Sequence, residues 1–260
     1  MPTFRSQDGL EITYDCWGEA GGVPVVLHHG FAASAHIDWV QTGVVDALTA
    51  AGRHVVAPDA RGHGRSDKPH DPSRLGEARM AQDVVTLIDE IGVPHVDLVG
   101  YSMGAIVALL TATRFPRVRR LVVGGVGAAV VELGGVDRRV LAPEALREAL
   151  LTDDPSSITE PAAAGFRTFA DATGADRLAL AAQTLARHRD RIPLEDLTVP
   201  TLVLAGRDDP LATGPEVLAR AIPGSSLQLV PGDHGGALHE PGFRHAIVAF
   251  LAAGHEAAGS

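Results

Sequence analysis

Short apolar segments alternate with amphipathic helical segments along most of this 260-residue chain. Continuous apolar runs of about five residues are typical of strands that are buried on both faces of a sheet. Strands are predicted at residues 10–17, 23–28, 54–58, 96–100, 121–123, 201–205 and 227–230. Helices are predicted at residues 37–51, 77–91, 103–115 and 243–253. This alternation predicts an α/β fold in which helices cover both faces of a parallel sheet.

Two segments depart from the simple alternation. Residues 10–17 alternate apolar and polar side chains, which predicts an antiparallel edge strand with one solvated face. Residues 126–197 contain no convincing strand and are rich in alanine, with helices predicted at 143–151, 162–169 and 176–191. A helical insert between two core strands is a candidate lid, and the alternative is a set of ordinary surface helices. We expect residues 254–260 to be a frayed tail.

Composition excludes several classes of protein. The formal net charge is −10 and the pI is near 5.6, so nucleic acid and anionic membranes are not expected as partners. Cys16 is the single cysteine, which rules out an intramolecular disulfide. Residues 1–10 lack the pattern of a signal peptide, and the apolar runs are shorter than the ~20 residues of a membrane helix. We therefore expect a cytoplasmic protein, either a monomer or a homodimer.

The segment Gly100-Tyr101-Ser102-Met103-Gly104 matches the pattern Gly-x-Ser-x-Gly and lies between a predicted strand and a predicted helix. A sharp turn at this place projects the serine hydroxyl away from the sheet, and the glycines leave room for the turn. The N terminus of the following helix stabilises negative charge that develops on a substrate oxygen. Ser102 is therefore the candidate nucleophile.

From about residue 3 to residue 253, the chain resembles the α/β-hydrolase fold family. The resemblance implies a single domain over residues 1–260, with an approximately eight-stranded, mostly parallel sheet, helices on both faces and a helical lid at residues 126–197. It also implies that the segment after the second apolar run, residues 28–31, forms the oxyanion loop. The backbone N–H groups of Phe31 and Met103 are then the oxyanion hole. The glycine-rich segment at residues 59–69 matches a structural signature of the family, so His63 is expected to be structural.

A serine nucleophile requires a histidine base and an acid that orients it. In this family the order along the chain is nucleophile, acid, base. The spacing Gly-x-x-Asp after the strand at 201–205 selects Asp209 over Asp208. His234 follows the last strand and is the predicted base, with His239 as its rival. Asp233 is interpreted as a turn residue.

The resemblance implies an acyl-enzyme mechanism on a small ester or lactone, and the triad does not distinguish esterase from lactonase. Carbon–carbon bond hydrolysis is the main alternative, because the same serine triad supports it on this fold. A triad-bearing protein that binds a small ligand with little turnover is a third possibility. Tyr101, Trp39, Phe166 and Phe169 are predicted to contact the substrate, whose acyl or alcohol group is expected to be mostly apolar.

Neither a metal nor a cofactor is expected. The sequence contains twelve histidines, but none stands in a His-Glu-x-x-His motif. The glycine-rich segment at residues 124–127 lacks the lysine of a phosphate-binding loop.

Overall fold

The computed structural model describes residues 1–253, and the predicted tail at 254–260 lies outside this range. Eight strands form one sheet in the order β1-β2-β4-β3-β5-β6-β7-β8. The strands are β1 Thr3–Arg5, β2 Glu11–Trp17, β3 Val25–His28, β4 Val55–Pro58, β5 Val96–Tyr101, β6 Val118–Gly124, β7 Thr201–Gly206 and β8 Ser226–Val230. Strands β3 to β8 are parallel, whereas β1 and β2 pair antiparallel. The predicted mostly parallel sheet is therefore confirmed.

Ten α-helices accompany the sheet in the described range. They are α1 Val44–Ala50, α2 Glu77–Glu90, α3 Met103–Arg114, α4 Ala128–Leu133, α5 Pro143–Leu151, α6 Pro161–Thr173, α7 Arg177–Ala186, α8 Pro215–Ala221, α9 Gly236–His239 and α10 Pro241–Ala252. None of the helices within residues 1–253 is both long enough and apolar enough to cross a membrane.

Helices cover both faces of the sheet, because alternate residues of each buried strand point to opposite sides. Val26 packs with α2 and α3 in one core cluster. Val25 and Leu27, on the same strand, pack with α1 and α10 in the other. The sheet thus divides the apolar core into two layers.

Two predicted elements differ in detail from the structure. The strand predicted at 10–17 is antiparallel as expected, but β1 pairs with its outer side, so β2 is not the edge. The three residues of β1 are too few to show a period in the sequence. The helix predicted at 37–51 is divided into a π-helical turn at His36–Val40 and α1, separated by Gly43 at φ 74°. A left-handed residue ends helical geometry, and glycine adopts it at little cost.

Helices α4 to α7 all lie in the chain between β6 and β7, and this stretch contains no strand. Several hydrogen bonds tie the segment to the rest of the fold, and three of them involve Thr173, Gln183 and His188. The Thr173 hydroxyl donates to the Ala32 carbonyl at 3.2 Å. The Gly76 N–H donates to Gln183 Oε1 at 2.8 Å. The third, from the His188 N–H to Glu77 Oε2, is 2.7 Å long. The segment therefore sits against the loops that follow the sheet.

Candidate active site

Four strand ends converge at one edge of the sheet. Strands β3, β5, β7 and β8 are parallel, so the segments that follow them emerge on the same side. Ser102 follows β5 directly, Asp209 lies three residues after β7, and His234 lies four residues after β8. This topology brings Ser102 together with two side chains, Asp209 and His234, that are more than a hundred residues further along the sequence.

The turn at Ser102 is sharp and sterically confined. Ser102 has φ 54° and ψ −115°, a conformation that non-glycine residues rarely adopt. Its N–H donates to the Gly124 carbonyl at 2.8 Å, which anchors the turn. A Cβ atom on Gly100 would collide with the Gly104 carbonyl, and one on Gly104 would collide with the His28 carbonyl. Both glycines of the Gly-x-Ser-x-Gly motif are therefore required by close backbone contacts.

The three predicted polar side chains form a continuous hydrogen-bonded chain. Ser102 Oγ lies 3.0 Å from His234 Nε2. His234 Nδ1 lies 2.8 Å from Asp209 Oδ2. The Leu211 N–H donates to Asp209 Oδ1 at 2.9 Å, which fixes the orientation of the carboxylate. In this geometry the Nδ1–H of His234 donates to the carboxylate and Nε2 accepts from the serine hydroxyl.

The rival residues lie elsewhere. Asp208 and His239 are exposed and line no part of the cavity at Ser102. Asp233 accepts a hydrogen bond from the Gly236 N–H at 2.7 Å, as a turn residue does.

The Tyr101 hydroxyl donates to the His234 carbonyl at 2.5 Å and holds the histidine loop against β5. Burial raises the pKa of Tyr101 well above its usual value, so this hydroxyl remains a donor.

Beside Ser102, two backbone N–H groups have no hydrogen-bond partner among the described residues. Within the described residues, neither the Phe31 N–H nor the Met103 N–H donates a hydrogen bond to another protein group. Met103 is the first residue of α3, and Phe31 follows β3. Ala32 has φ 62°, which turns the chain sharply after Phe31. Unpaired donors at this position are the groups that an oxyanion hole requires.

Buried polar side chains support the loop that carries Phe31. The Ala60 N–H donates to His29 Nε2 at 2.9 Å, so Nδ1 carries the proton and donates to the Gly30 carbonyl at 2.7 Å. Burial lowers the pKa of His63 to about 3, and its Nδ1 donates to the Arg61 carbonyl at 3.0 Å. His29 and His63 therefore have neighbours that fit a structural role rather than that of a base.

Asp38 is a polar residue of the site that sequence reasoning missed. Its Oδ2 accepts the Gly30 N–H at 2.7 Å, and the side chain lines the cavity beside Ser102. Burial raises the pKa of this carboxyl, and no described cation lies within ion-pair distance of it. In the sequence it falls inside a predicted amphipathic helix, where an acidic residue suggests only a solvated face.

A cavity of about 440 Å³ opens above Ser102 and His234. Its walls are mostly apolar, and they come from both the strand ends and the helical segment. The helical segment contributes Val140, Leu141, Ala162, Gly165, Phe166 and Phe169. Three of the residues predicted to contact the substrate are among those that line this cavity: Tyr101, Phe166 and Phe169. A cavity of this size accommodates a small organic molecule.

Trp39 corrects one prediction. Its side chain is fully buried in the core layer between the sheet, α1 and α10, and it does not line the cavity. The sequence placed it near the oxyanion loop, but the π-helical turn directs Asp38 toward the cavity and Trp39 into the core. Adjacent residues on such a turn point in different directions.

Within the part of the chain that the structure describes, no group of three or more histidine, cysteine or acidic side chains is arranged to hold a metal ion. The side chains around Ser102 are those of general base and nucleophilic chemistry.

Comparisons with known proteins place these features in context. A family model for the alpha/beta hydrolase fold matches residues 23–189. The 3-oxoadipate enol-lactonase 2 of Acinetobacter baylyi is 26% identical over 96% of this chain and 98% of its own length. The 2-hydroxy-6-oxo-2,4-heptadienoate hydrolase of Pseudomonas putida is 32% identical over 72% of each chain. An esterase from Exiguobacterium antarcticum superposes with a TM-score of 0.77 at 26% identity, covering 96% of this chain and 98% of the other.

Proposed function

This chain belongs to the alpha/beta hydrolase fold family, and from that premise we propose that it is a serine hydrolase that cleaves small carboxylic esters or lactones through an acyl-enzyme. The observation that carries the proposal is the hydrogen-bonded series Ser102–His234–Asp209 beneath an apolar cavity. Serine, histidine and an acid in this order activate a hydroxyl that is otherwise a weak nucleophile.

In the acylation step, Ser102 Oγ attacks the substrate carbonyl while its proton moves to His234 Nε2. The carbonyl oxygen becomes an oxyanion, and the N–H groups of Phe31 and Met103 stabilise it. Asp209 accepts the Nδ1–H and stabilises the positive charge on the imidazole. The intermediate then collapses, the bond to the alcohol oxygen breaks, and His234 protonates that oxygen. An oxyanion donor of this kind is worth about 10²–10³ in rate.

Deacylation repeats the sequence with water. His234 removes a proton from a water molecule as its oxygen attacks the acyl carbon. The bond to Ser102 Oγ breaks, the serine recovers its proton from His234, and the carboxylic acid leaves. In a lactone the alcohol and the acid are parts of one molecule, so a hydroxy acid or its tautomer is released.

We also propose that the helical segment, residues 126–197, acts as a cap that selects the substrate. Its apolar side chains form one wall of the cavity, and Phe166 lies with its ring centroid 6.1 Å from that of Phe31. Tyr101 and Phe169 contribute further apolar surface. An apolar acyl or alcohol group is the part that these residues would contact.

Carbon–carbon bond hydrolysis is the second candidate. It is favoured by the similarity to the Pseudomonas putida protein named 2-hydroxy-6-oxo-2,4-heptadienoate hydrolase. This reaction uses the same serine triad but releases a carbon leaving group in place of an alcohol. The two candidate functions are therefore distinguished by the substrate that is hydrolysed and not by the triad.

The test is hydrolysis of short- and medium-chain 4-nitrophenyl esters near pH 8 by the wild type and by Ser102→Ala. We expect turnover by the wild type and a loss on the order of 10⁶ in the variant. The dependence of kcat/KM on acyl-chain length shows which length of acyl group the cavity accepts. A folded wild type that hydrolyses none of the esters would contradict the esterase proposal, and lactones and vinylogous diketones then test the remaining chemistries.

A further inference from the structure

Arg187 is a cation beside the active-site cavity that the triad chemistry does not use. It directly follows α7, and its side chain is half-buried. The guanidinium carbon lies 5.3 Å from the centre of the Phe31 ring. Among the described residues, the guanidinium donates no hydrogen bond and has no carboxylate within 4.0 Å. Arginines in protein interiors are ordinarily paired, because an unpaired buried charge is costly.

The space in front of Arg187 adjoins the active-site cavity. A small cavity of about 10 Å³ is lined by Arg187, Ser102 and Met103. It shares Ser102 and four of its apolar walls with the large cavity; these walls are Phe31, Leu141, Phe166 and Leu211. A volume of this size holds about one water-sized atom. One oxygen of a carboxylate has that size, while the rest of the ligand lies in the large cavity.

The charges around this cavity favour an anion. Glu77 is the acidic residue that lines it, and one of its oxygens already accepts the His188 N–H at 2.7 Å. Arg138 and Arg189 line the space on the far side of Arg187. Taken together, the linings of these two small cavities include three arginines and one carboxyl group, in a chain whose net charge is −10. Burial lowers the pKa of Arg187 because a charged guanidinium loses hydration there, and Glu77 opposes this shift.

We propose that Arg187 binds a carboxylate of the substrate, so that the preferred ester or lactone carries a second, anionic group a few bonds from the scissile carbonyl. This inference rests on the proposed function and defines its substrate class. The guanidinium donates charge-assisted hydrogen bonds to the carboxylate oxygen that occupies the small cavity, and such bonds are stronger than those between neutral groups. The ring of Phe31 supports the guanidinium from one side, and the backbone of the same residue carries a proposed oxyanion donor.

Matched substrates measure this preference directly. 4-Nitrophenyl hydrogen glutarate carries the carboxylate on its acyl group, and its methyl ester is the neutral partner of equal length. 4-Acetoxybenzoate and its methyl ester place the same contrast on the leaving group. We expect the wild type to prefer the acid in one of the two pairs. In Arg187→Gln, the kcat/KM ratio of acid to methyl ester should fall about 10- to 100-fold in that pair.

Arg147→Gln is the matched control, because Arg147 is an exposed arginine of α5 within the same helical segment. Its acid-to-ester ratio should equal that of the wild type. Arg187→Lys retains the charge but not the planar guanidinium that packs on the Phe31 ring, so its ratio should lie between those of the wild type and Arg187→Gln.

A binding measurement separates this inference from the proposed function. Glutarate binding to Ser102→Ala, measured by calorimetry, should weaken about 10- to 100-fold when Arg187→Gln is added. If esters are hydrolysed but neither the acid preference nor glutarate binding depends on Arg187, this inference is wrong and the proposed function stands. If no ester is hydrolysed but glutarate binding depends on Arg187, the anion site stands and the proposed function is wrong.

Discussion

The sheet edge and the helical segment build the same cavity in different ways. At the sheet edge, each polar group is held by its own hydrogen bond, as Leu211 holds Asp209 and Tyr101 holds the His234 loop. The helical segment presents mainly apolar side chains, and the ring of Phe166 is positioned by packing rather than by a polar contact. Hydrogen bonds have strict geometry, whereas apolar contacts tolerate exchange of side chains of similar volume. The sheet edge is therefore suited to fixing the reaction, and the helical segment to selecting the substrate.

This difference predicts that substitutions at the sheet edge reduce kcat strongly, and after loss of the nucleophile itself the largest effect is expected for Asp209→Asn. An asparagine still accepts the Leu211 N–H, but its amide nitrogen then faces His234 Nδ1 and favours the wrong tautomer. We expect kcat to fall about 10⁴-fold with ester substrates. Asp208→Asn, next to it and exposed, is the control and should retain wild-type activity. A loss of less than tenfold in Asp209→Asn would argue against its role as the orienting acid.

Two histidines at the sheet edge should also make the free energy of unfolding fall in acid. Burial lowers the pKa of His28 and of His63 to about 3, while an unfolded histidine binds its proton near pH 6.5. Between these values the unfolded state holds more protons, so the free energy of unfolding decreases as pH falls. Each histidine contributes at most about 1.4 kcal/mol per pH unit. Urea unfolding at pH 7 and pH 5 measures this slope.

Variants assign the pH dependence of the unfolding free energy to individual histidines. His63→Gln removes one of the two histidines whose pKa is lowered to about 3, so the unfolding free energy of this variant should depend less steeply on pH than that of the wild type. His95→Gln replaces an exposed histidine and should leave the slope unchanged. Equal slopes in His63→Gln and the wild type would contradict the low pKa of His63.

A third test concerns the loop that carries Phe31. Asp38→Ala removes the acceptor of the Gly30 N–H, so the loop loses one of its fixed points. We expect kcat to fall about 10- to 100-fold, less than the loss of a whole oxyanion donor, with KM little changed. Asp38→Asn keeps an acceptor oxygen and should restore most of the rate. Asp46→Ala, at an exposed position of α1, is the control. If KM alone changes, Asp38 contacts the substrate and does not position the loop.

The smallest effect is expected in the helical segment. Phe166→Ala enlarges the cavity and removes apolar contact, so KM for medium-chain esters should rise about 3- to 10-fold with little change in kcat. Leu185→Ala, at an exposed position of α7, should behave as the wild type. A fall in kcat comparable to that of Asp209→Asn would remove the distinction between the two regions.

The same division explains what the sequence could and could not predict. Ser102, Asp209 and His234 each lie within four residues of the end of a parallel strand and within three residues of a glycine, so the parallel topology alone brings them to one edge. Asp38 and Arg187 carry no such marker. Asp38 lies within the π-helical turn, which begins after the segment 29–35 that follows β3, and Arg187 follows the end of α7. Their places depend on the packing of loops, which no periodicity reveals.

Trp39 shows the limit of proximity in sequence. It stands next to Asp38 and near the oxyanion loop, yet it is fully buried in the opposite direction. The direction of a side chain follows from local backbone geometry, and here a π-helical turn replaced the predicted regular helix. Sequence reasoning therefore predicted the strand-borne groups better than the residues of the turns between them.

The most direct test of the account is covalent labelling by a fluorophosphonate, followed by intact mass and peptide mapping of the wild type and of His234→Ala. The reagent forms a bond to an activated serine oxygen as fluoride leaves. We expect a single adduct on Ser102 in the wild type and no adduct in His234→Ala over the same time. An unlabelled wild type, an adduct on another residue, or equal labelling of His234→Ala would contradict the claim that His234 activates Ser102.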